Sequence, residues 1–322
     1  MKILIIVSGG DAPGINAALF HLADIAAQHG DTLIGARGGF SGVLAEQFMP
    51  LDARALAPLI GLGGSFLPSS RDPVLKEETN RQQLQAIFKR HGFDHLILFG
   101  GGGTLHYLPP ILQTLGINCV GIPTTIDNDI AATTYSLGFH SACEFAYHAV
   151  DGIRATAGAL EGRLFTLETL GGDSGMLALS IASGSSADGV LLPEYPNVDE
   201  DALAARLKAA IVRKGHALLV YNEYVQGKNE LIERIAVKVG VRLRDTRLGH
   251  AQRGGTSVHM DRILAQDFAR IAYGAAQQRV SYGMTVLEQS THFAFLQQHF
   301  IEEDRVKAPN PYAYNLINGI TP

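Results

Sequence analysis

Short apolar runs alternate with longer amphipathic stretches along the 322 residues of the chain. The apolar runs are rich in Ile, Leu and Val, which is typical of strands buried on both faces of a parallel sheet. Strands are predicted at 3–7, 33–36, 95–99, 118–122, 163–168, 189–193 and 216–221. Helices are predicted at 14–29, 52–60, 75–91, 104–115, 141–157, 174–183, 199–214, 231–239 and 261–276. This alternation predicts an α/β fold with doubly wound, mainly parallel sheets.

Two polar stretches interrupt the alternation and indicate how the chain is divided. The length of the chain suggests about two domains. The first stretch, 124–134, predicts a division near residue 140. The second, 244–256, carries several glycines and predicts another division.

Composition and charge exclude several classes of protein. Hydrophobic residues make up 46% of the chain and charged residues 18%, which excludes a disordered tail and a coiled coil. The net charge of −5 and the lack of a long basic block argue against nucleic acid or an anionic membrane as a partner. No apolar run approaches the ~18 residues of a membrane span. Without a signal-peptide pattern or a CxxC pair, we expect a cytoplasmic protein.

Two glycine-rich loops each follow a predicted strand and precede a predicted helix. Residues 8–14 read Ser-Gly-Gly-Asp-Ala-Pro-Gly, and residues 100–104 read Gly-Gly-Gly-Gly-Thr. Glycines let the backbone approach a ligand closely, and the N–H groups that open a helix attract anions. A single such loop would favour a tight turn without a ligand, but two favour a bound phosphate. Neither loop has the GK[ST] of a Walker A motif, and neither fits a dinucleotide site well.

A third loop, 171–175, contains Gly-Asp-Ser-Gly, a short sequence also found in serine proteases. Those proteases are all-β proteins that need a histidine and an aspartate in partner segments. The α/β pattern here instead predicts the start of a helix, with Ser174 near its N-cap.

Two carboxylates follow the predicted strand at 118–122. Asp127 and Asp129 are two residues apart in the segment Pro-Thr-Thr-Ile-Asp-Asn-Asp at 123–129. One could act as a base toward a hydroxyl and the other could hold Mg²⁺, directly or through water. Taken alone, the segment is more typical of an Asx-turn with solvated carboxylates.

Five arginines lie in segments that read as polar turns, namely Arg71, Arg163, Arg244, Arg247 and Arg253. Single arginines usually lie on the surface with solvated head groups. The segment 248–255, however, places a histidine and an arginine among glycines as Leu-Gly-His-Ala-Gln-Arg-Gly-Gly. This composition suits a phosphorylated sugar.

Together these motifs resemble the 6-phosphofructokinase family. The resemblance runs from residue 2 to about residue 276. It rests on the motifs at 8–14, 63–67 (Gly-Gly-Ser-Phe-Leu), 125–129, 248–255 and 261–265, which occur in the family's order. It implies two α/β domains with the active site in the cleft between them, in a homotetramer or dimer. The implied larger, donor-binding domain is 1–139 with 251–300, and the smaller, sugar-phosphate-binding domain is 140–250 with 301–322.

The resemblance also implies the donor and the residues that hold it. The phosphates of ATP are expected on the two glycine loops, through Gly10, Gly101, Gly102, Gly103 and Thr104. Arg71 resembles the arginine that bridges the donor phosphates, and Phe40 stands where an aromatic often contacts adenine. Asp129 resembles a carboxylate linked to Mg²⁺. Pyrophosphate is the alternative donor, although its users tend to carry aspartate at the place of Gly103 and lysine at the place of Thr124.

The implied acceptor is fructose 6-phosphate or a close relative. Asp127 resembles the base that takes the proton of the 1-hydroxyl, and Thr125 resembles its positioning partner. Contacts to the sugar phosphate from the same chain are expected from Leu170, Gly171, Glu223, His250 and Arg253. Arg163 and Arg244 resemble a pair that reaches the sugar-phosphate site of a neighbouring subunit.

Two positions depart from the family pattern. Gly102 stands where the family usually has an aspartate, and the segment usually written Met-Gly-Arg is Leu-Gly-Gly at 170–172. One acid and one base are therefore missing near the site of transfer. Three interpretations remain open: the same donor with a rebuilt metal shell, a different donor or sugar phosphate, or a weakly catalytic paralogue that binds sugar phosphates. Arg247, near His250, is a candidate replacement for the missing arginine.

Overall fold

The structure is a computed structural model that describes residues 1–71, 73–288, 292–297 and 306–320. The chain forms two compact units. The first is built from Met1–Ser141 and Arg253–Val306, and the second from Ala142–Gln252 and Lys307–Pro322. None of the helices within the described residues is long and apolar enough to cross a membrane.

The first unit contains a seven-stranded sheet. Its strands are β1 (Lys2–Val7), β2 (Thr32–Ala36), β3 (Phe48–Pro50), β4 (His95–Gly100), β5 (Cys119–Pro123), β10 (Tyr282–Glu288) and β11 (His292–Gln297). The strand order is β11-β10-β5-β4-β1-β2-β3. The five central strands are parallel, and the two edge strands, β3 and β11, are antiparallel to their neighbours.

The first unit also contains six α-helices and the start of a seventh. These are α1 (Ile15–Gln28), α2 (Gly39–Leu44), α3 (Ala53–Leu56), α4 (Glu78–His91), α5 (Gly102–Thr114), α10 (His259–Gln277) and the first residues of α6 (Phe139–Ala159). The apolar residues of β1 and β4 are all at most 1% exposed. This burial on both faces explains why these strands read as continuous apolar runs.

The second unit contains a four-stranded parallel sheet. Its strands are β6 (Arg163–Thr169), β7 (Gly189–Leu191), β8 (His216–Asn222) and β9 (Arg242–Arg247), in the order β7-β8-β6-β9. Its helices are the rest of α6, α7 (Met176–Gly184), α8 (Glu200–Lys214), α9 (Lys228–Val239) and α11 (Pro311–Asn318). The predicted α/β class with mainly parallel sheets is confirmed by these two sheets.

The direction of the strand order in the first unit reverses between β1 and β4. From this point β2 lies on one side and β5 on the other. In open α/β sheets, ligands bind beyond the carboxyl ends of the strands at such a switch point. The loops that follow β1 and β4 are the two glycine-rich loops, so the topology places both at the position where a ligand is expected.

The structure corrects the prediction that several arginines lie in turns. Arg163 is the first residue of β6, which agrees with the strand predicted at 163–168, and Arg244 and Arg247 belong to β9, which was not predicted. β9 is an edge strand, and four of its six residues are exposed. An edge strand of this kind keeps polar side chains, so its sequence lacks the apolar run of a buried strand. The predictions also missed α2, β3, β10, β11 and α11.

Candidate active site

A cavity of about 600 Å³ lies in the first unit at the carboxyl ends of β1, β4 and β5. This volume is in the range of small-molecule sites. The cavity is lined by Ser8, Gly9, Gly10, Phe40, Arg71, Pro73, Leu75, Lys76, Gly101, Gly102, Gly103, Thr104, Tyr107, Leu108, Thr124, Thr125, Asp127, Asp129 and Arg253. Every residue predicted for the donor site is among them.

The loop after β1 brings its backbone under two guanidinium groups. Ser8 continues the strand by donating its N–H to the Phe99 carbonyl at 2.9 Å, and Gly9 turns the chain at φ +106°. A Cβ added at Gly10 would lie 2.7 Å from Nη1 of Arg253 and 2.9 Å from Nη2 of Arg71. A side chain at position 10 would displace the ends of both arginines, and the two arginines place positive charge at one end of the cavity.

The loop after β4 presents the N-terminus of α5 to the same cavity. Gly101 precedes the helix, and no side chain within the described residues caps it. The first-turn residues 102–105 are uncharged, so the N–H groups and the helix dipole are available to an anion. Thr104 donates its hydroxyl to the Ser8 carbonyl at 3.3 Å, which joins the two glycine loops.

The turn after β5 is held beside this helix start. Thr124 donates its N–H to the Gly100 carbonyl at 2.8 Å. A Cβ added at Gly101 would lie 3.5 Å from Cβ of Thr125, and one added at Gly102 would lie 3.7 Å from Oδ2 of Asp129. The predicted acid segment and the predicted phosphate loop thus share one cavity.

Hydrogen bonds fix the shape of the acid-bearing turn. The Thr125 hydroxyl accepts the N–H of Asp127 at 3.1 Å. Asn128 adopts a left-handed conformation with φ +52°, and its Oδ1 accepts the N–H of Ser136 at 3.0 Å. The Ser136 hydroxyl in turn donates to the Thr125 carbonyl at 2.7 Å. These hydrogen bonds hold the backbone on both sides of Asp127. Asp127 and Asp129 both line the cavity.

The carboxylates of the cavity suit Mg²⁺ better than a metal held by the protein alone. No group of three or more His, Cys, Asp and Glu side chains that could hold a metal occurs in the described part of the chain. Mg²⁺ is usually held by one or two carboxylates together with substrate phosphates and water. Asp129, with Asp127 nearby, lines the cavity beside the start of α5, so a carboxylate and a position that suits phosphate lie together.

Among the lining residues that the sequence reasoning missed are Lys76 and Tyr107. Lys76 ends a short 3-10 helix that follows Arg71, and Tyr107 lies in the second turn of α5. A lysine before a helix and a tyrosine on an amphipathic helix are common surface features. The sequence therefore contained no local signal for Lys76, whereas the spacing of Tyr107 from Gly103 and Thr104, four and three residues along one helix, could have indicated the face of α5 that lines the cavity.

In the second unit, the loop after β6 brings several predicted sugar-phosphate residues together. Gly171 and Gly172 have φ values of +146° and +55°. The Leu170 N–H is donated to Oε1 of Gln252 at 2.9 Å, and the Gly172 N–H is donated to Oε1 of Glu223 at 3.2 Å. Leu170, Gly171 and Glu223 therefore lie at the carboxyl ends of β6 and β8. His250 is exposed in the 3-10 helix Gly249–Arg253.

Arg163 and Arg244 are not brought to this loop. Arg163 begins β6, six residues before the strand ends at Thr169, which corresponds to about 20 Å at the usual rise of a strand. Arg244 pairs with Phe165, four residues before that end. Within the second unit, the structure thus separates this pair from Leu170 and Glu223.

Arg247 and Lys228 supply positive charge near the loop that lacks the family's arginine. Lys228 places its Nζ 2.7 Å from Oε2 of Glu168 and donates to the Glu223 carbonyl at 2.7 Å. Arg247 lies 4.0 Å from the same Glu168 oxygen. Arg247 is the candidate replacement predicted for the missing arginine, whereas Lys228 was not predicted.

A hydrogen-bond network that joins β6, β8 and β9 fixes Arg247 through Asp245. The Asp245 carboxylate accepts hydrogen bonds from Thr166 at 2.6 Å, Tyr221 at 2.9 Å and Arg247 at 2.8 Å. These donors hold the pKa of Asp245 below its usual value, although partial burial works in the opposite direction. Burial and the neighbouring carboxylate raise the pKa of the Tyr221 hydroxyl, so it remains a donor.

Comparison with known proteins identifies relatives over most of the chain. Residues 2–276 match the family described as Phosphofructokinase. An ATP-dependent 6-phosphofructokinase of Coxiella burnetii is 35% identical over 288 residues, which cover 87% of this chain and 88% of that protein. A protein of the same name from Pectobacterium carotovorum is 36% identical over 278 residues, covering 86% of each chain.

Solved structures have the same fold. The phosphofructokinase of Pichia pastoris in the T-state matches with a TM-score of 0.83 and 26% identity, covering 92% of this chain and 34% of that chain. A pyrophosphate-dependent phosphofructokinase from Nitrosospira multiformis matches with a TM-score of 0.83 and 20% identity, covering 99% of this chain and 91% of that one. At the latter identity the match demonstrates the fold alone.

Proposed function

The chain belongs to the phosphofructokinase family, and we propose that it transfers the terminal phosphoryl group of ATP to the 1-hydroxyl of fructose 6-phosphate. The observation that carries the proposal is the cavity of the first unit. There, two glycine loops, two arginines and two carboxylates meet at the switch point of the sheet. Phosphoryl transfer needs this combination of phosphate-binding groups and a carboxylate at the accepting oxygen.

The donor phosphates would be held mainly by the backbone. The N–H groups at the start of α5 and the loop after β1 face the cavity, and Arg71 and Arg253 lie above Gly10. In phosphoryl transfer the protein acts chiefly by aligning the reactants and by balancing charge on the transferring group. The two guanidinium groups and the N-terminus of α5 would already lie beside the transferring phosphoryl group, so that they balance its charge without having to move.

Asp127 would accept the proton of the sugar hydroxyl. Its backbone is held by the Thr125 hydroxyl, so the carboxylate is positioned before the substrate arrives. The carboxylate need not be a strong base when proton transfer follows the movement of the phosphoryl group. Thr125 is therefore a positioning residue for Asp127.

Asp129 would hold Mg²⁺ together with the donor phosphates. When bound, the ion neutralises charge on the phosphate oxygens and fixes their orientation. Gly102 supplies no side-chain oxygen, so Asp129 has a larger share of this task than in a site with two carboxylates. This arrangement corresponds to the same donor with a rebuilt metal shell.

Fructose 6-phosphate is the acceptor that we propose for the second unit, through Leu170, Gly171, Glu223 and His250. Lys228 supports this loop by holding the Glu223 carbonyl. Arg163 and Arg244 lie away from the loop, which is consistent with their action on the site of a neighbouring subunit in a homo-oligomer. Both cysteines, Cys119 and Cys143, are free thiols, which suits a cytoplasmic enzyme.

A steady-state assay that crosses donors with acceptors tests the proposal. ATP and pyrophosphate are each offered with fructose 6-phosphate and with related sugar phosphates, with and without Mg²⁺. We expect turnover with ATP, fructose 6-phosphate and Mg²⁺. Turnover with pyrophosphate but not with ATP would overturn the choice of donor. Binding of fructose 6-phosphate without turnover from either donor would overturn the assignment as an enzyme.

A further inference from the structure

Tyr107 contributes an exposed aromatic ring to the wall of the cavity. It lies on α5 four residues after Gly103 and three after Thr104, on the face of the helix that lines the cavity. The residue is 41% exposed, although it is one of the largest side chains of the lining. An aromatic ring left open beside a phosphate-binding helix start offers a surface for a flat ligand.

Three other apolar residues of the cavity are part of the packed core. Phe40, Leu75 and Leu108 belong to a single core cluster, and each is at most 9% exposed. Phe40, the aromatic predicted to contact a base, is only 4% exposed and therefore offers little surface. Tyr107 is the aromatic residue with accessible area among the described lining residues.

The chemistry of the cavity changes over one turn of α5. The helix start at Gly102 and Gly103 offers N–H groups and no side chain, which suits phosphate. A Cβ added at Gly103 would meet nothing within 4 Å, so space is open between the helix start and Tyr107. A ligand with phosphates at one end and an aromatic group at the other matches this change.

We propose that the ring of Tyr107 stacks on the nucleobase of the phosphoryl donor. This inference rests on the proposed function, because it assumes that a nucleotide occupies the cavity, and it deepens it by naming the residue that recognises the base. A base held by its face is recognised through stacking, which every base can offer. Tyr107 would thereby distinguish a nucleoside triphosphate from an inorganic polyphosphate.

The test compares a non-hydrolysable ATP analogue, AMP-PNP, with inorganic tripolyphosphate, which has the phosphates without the base. Both are titrated calorimetrically into the wild type and into Tyr107→Ala and Tyr107→Phe. We expect Tyr107→Ala to weaken AMP-PNP binding by roughly 5- to 100-fold and to leave tripolyphosphate binding unchanged. Tyr107→Phe keeps the ring and should bind both ligands as the wild type does. Tyr312→Ala, which removes an exposed tyrosine outside the cavity, is the matched control.

A spectroscopic arm reports stacking directly. The chain contains no tryptophan, so Tyr107→Trp and Tyr312→Trp each introduce a single tryptophan, which can be excited without exciting the tyrosines. We expect AMP-PNP to quench the fluorescence of Tyr107→Trp and tripolyphosphate to leave it unchanged. The fluorescence of Tyr312→Trp should respond to neither ligand.

Several outcomes would overturn the inference. AMP-PNP binding that is unchanged or tighter in Tyr107→Ala would mean that the ring does not hold a base. Equal losses for AMP-PNP and tripolyphosphate would mean that the substitution disturbs the phosphate loop. If the wild type turned over ATP and fructose 6-phosphate while either of these binding results was obtained, the inference about Tyr107 would be wrong and the proposed function would stand. Base-dependent binding without turnover would support the inference and overturn the proposed function.

Discussion

The carboxylate of Glu223 accepts a hydrogen bond from the backbone N–H of Gly172 at 3.2 Å. Gly172 belongs to the loop that follows β6, and its φ of +55° is one that residues with a side chain rarely adopt. Glu223 follows β8 directly, and its own N–H is donated to the Thr169 carbonyl at 3.0 Å. Two adjacent strand ends therefore hold the glycine loop in one conformation.

Replacing Glu223 tests whether this loop binds fructose 6-phosphate. Glu223→Ala removes the acceptor for the Gly172 N–H, so the loop loses its support and the substrate loses a contact. We expect the KM for fructose 6-phosphate to rise about tenfold or more while the KM for ATP changes little. Steady-state kinetics with each substrate varied in turn makes the measurement.

Two further variants test whether the effect of Glu223→Ala comes from weaker substrate binding or from a general disturbance of α9. Glu223→Gln keeps an acceptor oxygen and should lie between the wild type and Glu223→Ala. Glu230→Ala removes an exposed carboxylate from the first turn of α9 and should match the wild type. Parallel changes in the KM values for both substrates in Glu223→Ala would contradict the assignment.

A carboxylate added at position 102 should lower the demand for Mg²⁺. The Cβ would lie 3.7 Å from Oδ2 of Asp129, an ordinary contact distance, so the side chain has room. With two carboxylates beside the donor phosphates, we expect Gly102→Asp to reach half of its maximal rate at a lower Mg²⁺ concentration. A titration of the initial rate with Mg²⁺ at saturating substrates measures this shift.

The neighbouring position provides the matched comparison. Gly103→Asp also adds a carboxylate to the first turn of α5, in open space rather than beside Asp129. It should repel the donor phosphates and raise the KM for ATP. If Gly102→Asp and Gly103→Asp shifted the Mg²⁺ requirement alike, the assignment of Asp129 to the metal would be wrong.

Asp261 should make the stability of the protein depend on pH. It is fully buried and accepts hydrogen bonds from the Gly138 N–H, the Ser141 N–H and the Ser141 hydroxyl at 2.6 to 2.8 Å. Burial raises the pKa of its carboxyl group to about 6, although these donors work in the opposite direction. A raised pKa means that the folded state binds the proton more tightly than the unfolded state.

The contribution of Asp261 to stability is therefore greatest near pH 4 and decreases as the pH rises to about 6. The difference in unfolding free energy between the wild type and Asp261→Asn should shrink by up to about 3 kcal/mol over this range and stay constant above it. Urea unfolding at pH 4, 5, 6 and 7 measures the difference. A constant difference at all four values would contradict the account.

The sequence predicted the centre of the first unit well. Strands such as β1 and β4 are buried on both faces, so their apolar runs are unmistakable, and the glycine loops follow them directly. The segment at 125–129 was placed correctly because a parallel sheet brings its carboxyl ends to one edge. Asp127 and the loop at Gly101 therefore share a cavity, as the motifs had suggested.

Other parts had no comparable signal. β9 carries Arg242, Arg244 and Arg247 along an exposed edge, so its polarity indicated a turn. Lys76 lines the cavity only because its segment packs beside the switch point, which depends on contacts between distant segments, whereas Tyr107 lies one helical turn after Gly103. The positions of Gly102 and Gly172 were known from the motif pattern, but their neighbours, Asp129 and Glu223, required the structure.

Asp127→Asn addresses the proposed base itself, because it removes the carboxylate and keeps the size of the side chain and one acceptor oxygen. Formation of fructose 1,6-bisphosphate and calorimetric binding of fructose 6-phosphate are measured on the same preparation. We expect kcat to fall by about 10² to 10⁴ while the Kd for fructose 6-phosphate changes only a few-fold. A variant that keeps a substantial fraction of the wild-type kcat would contradict the assignment of Asp127 as the base.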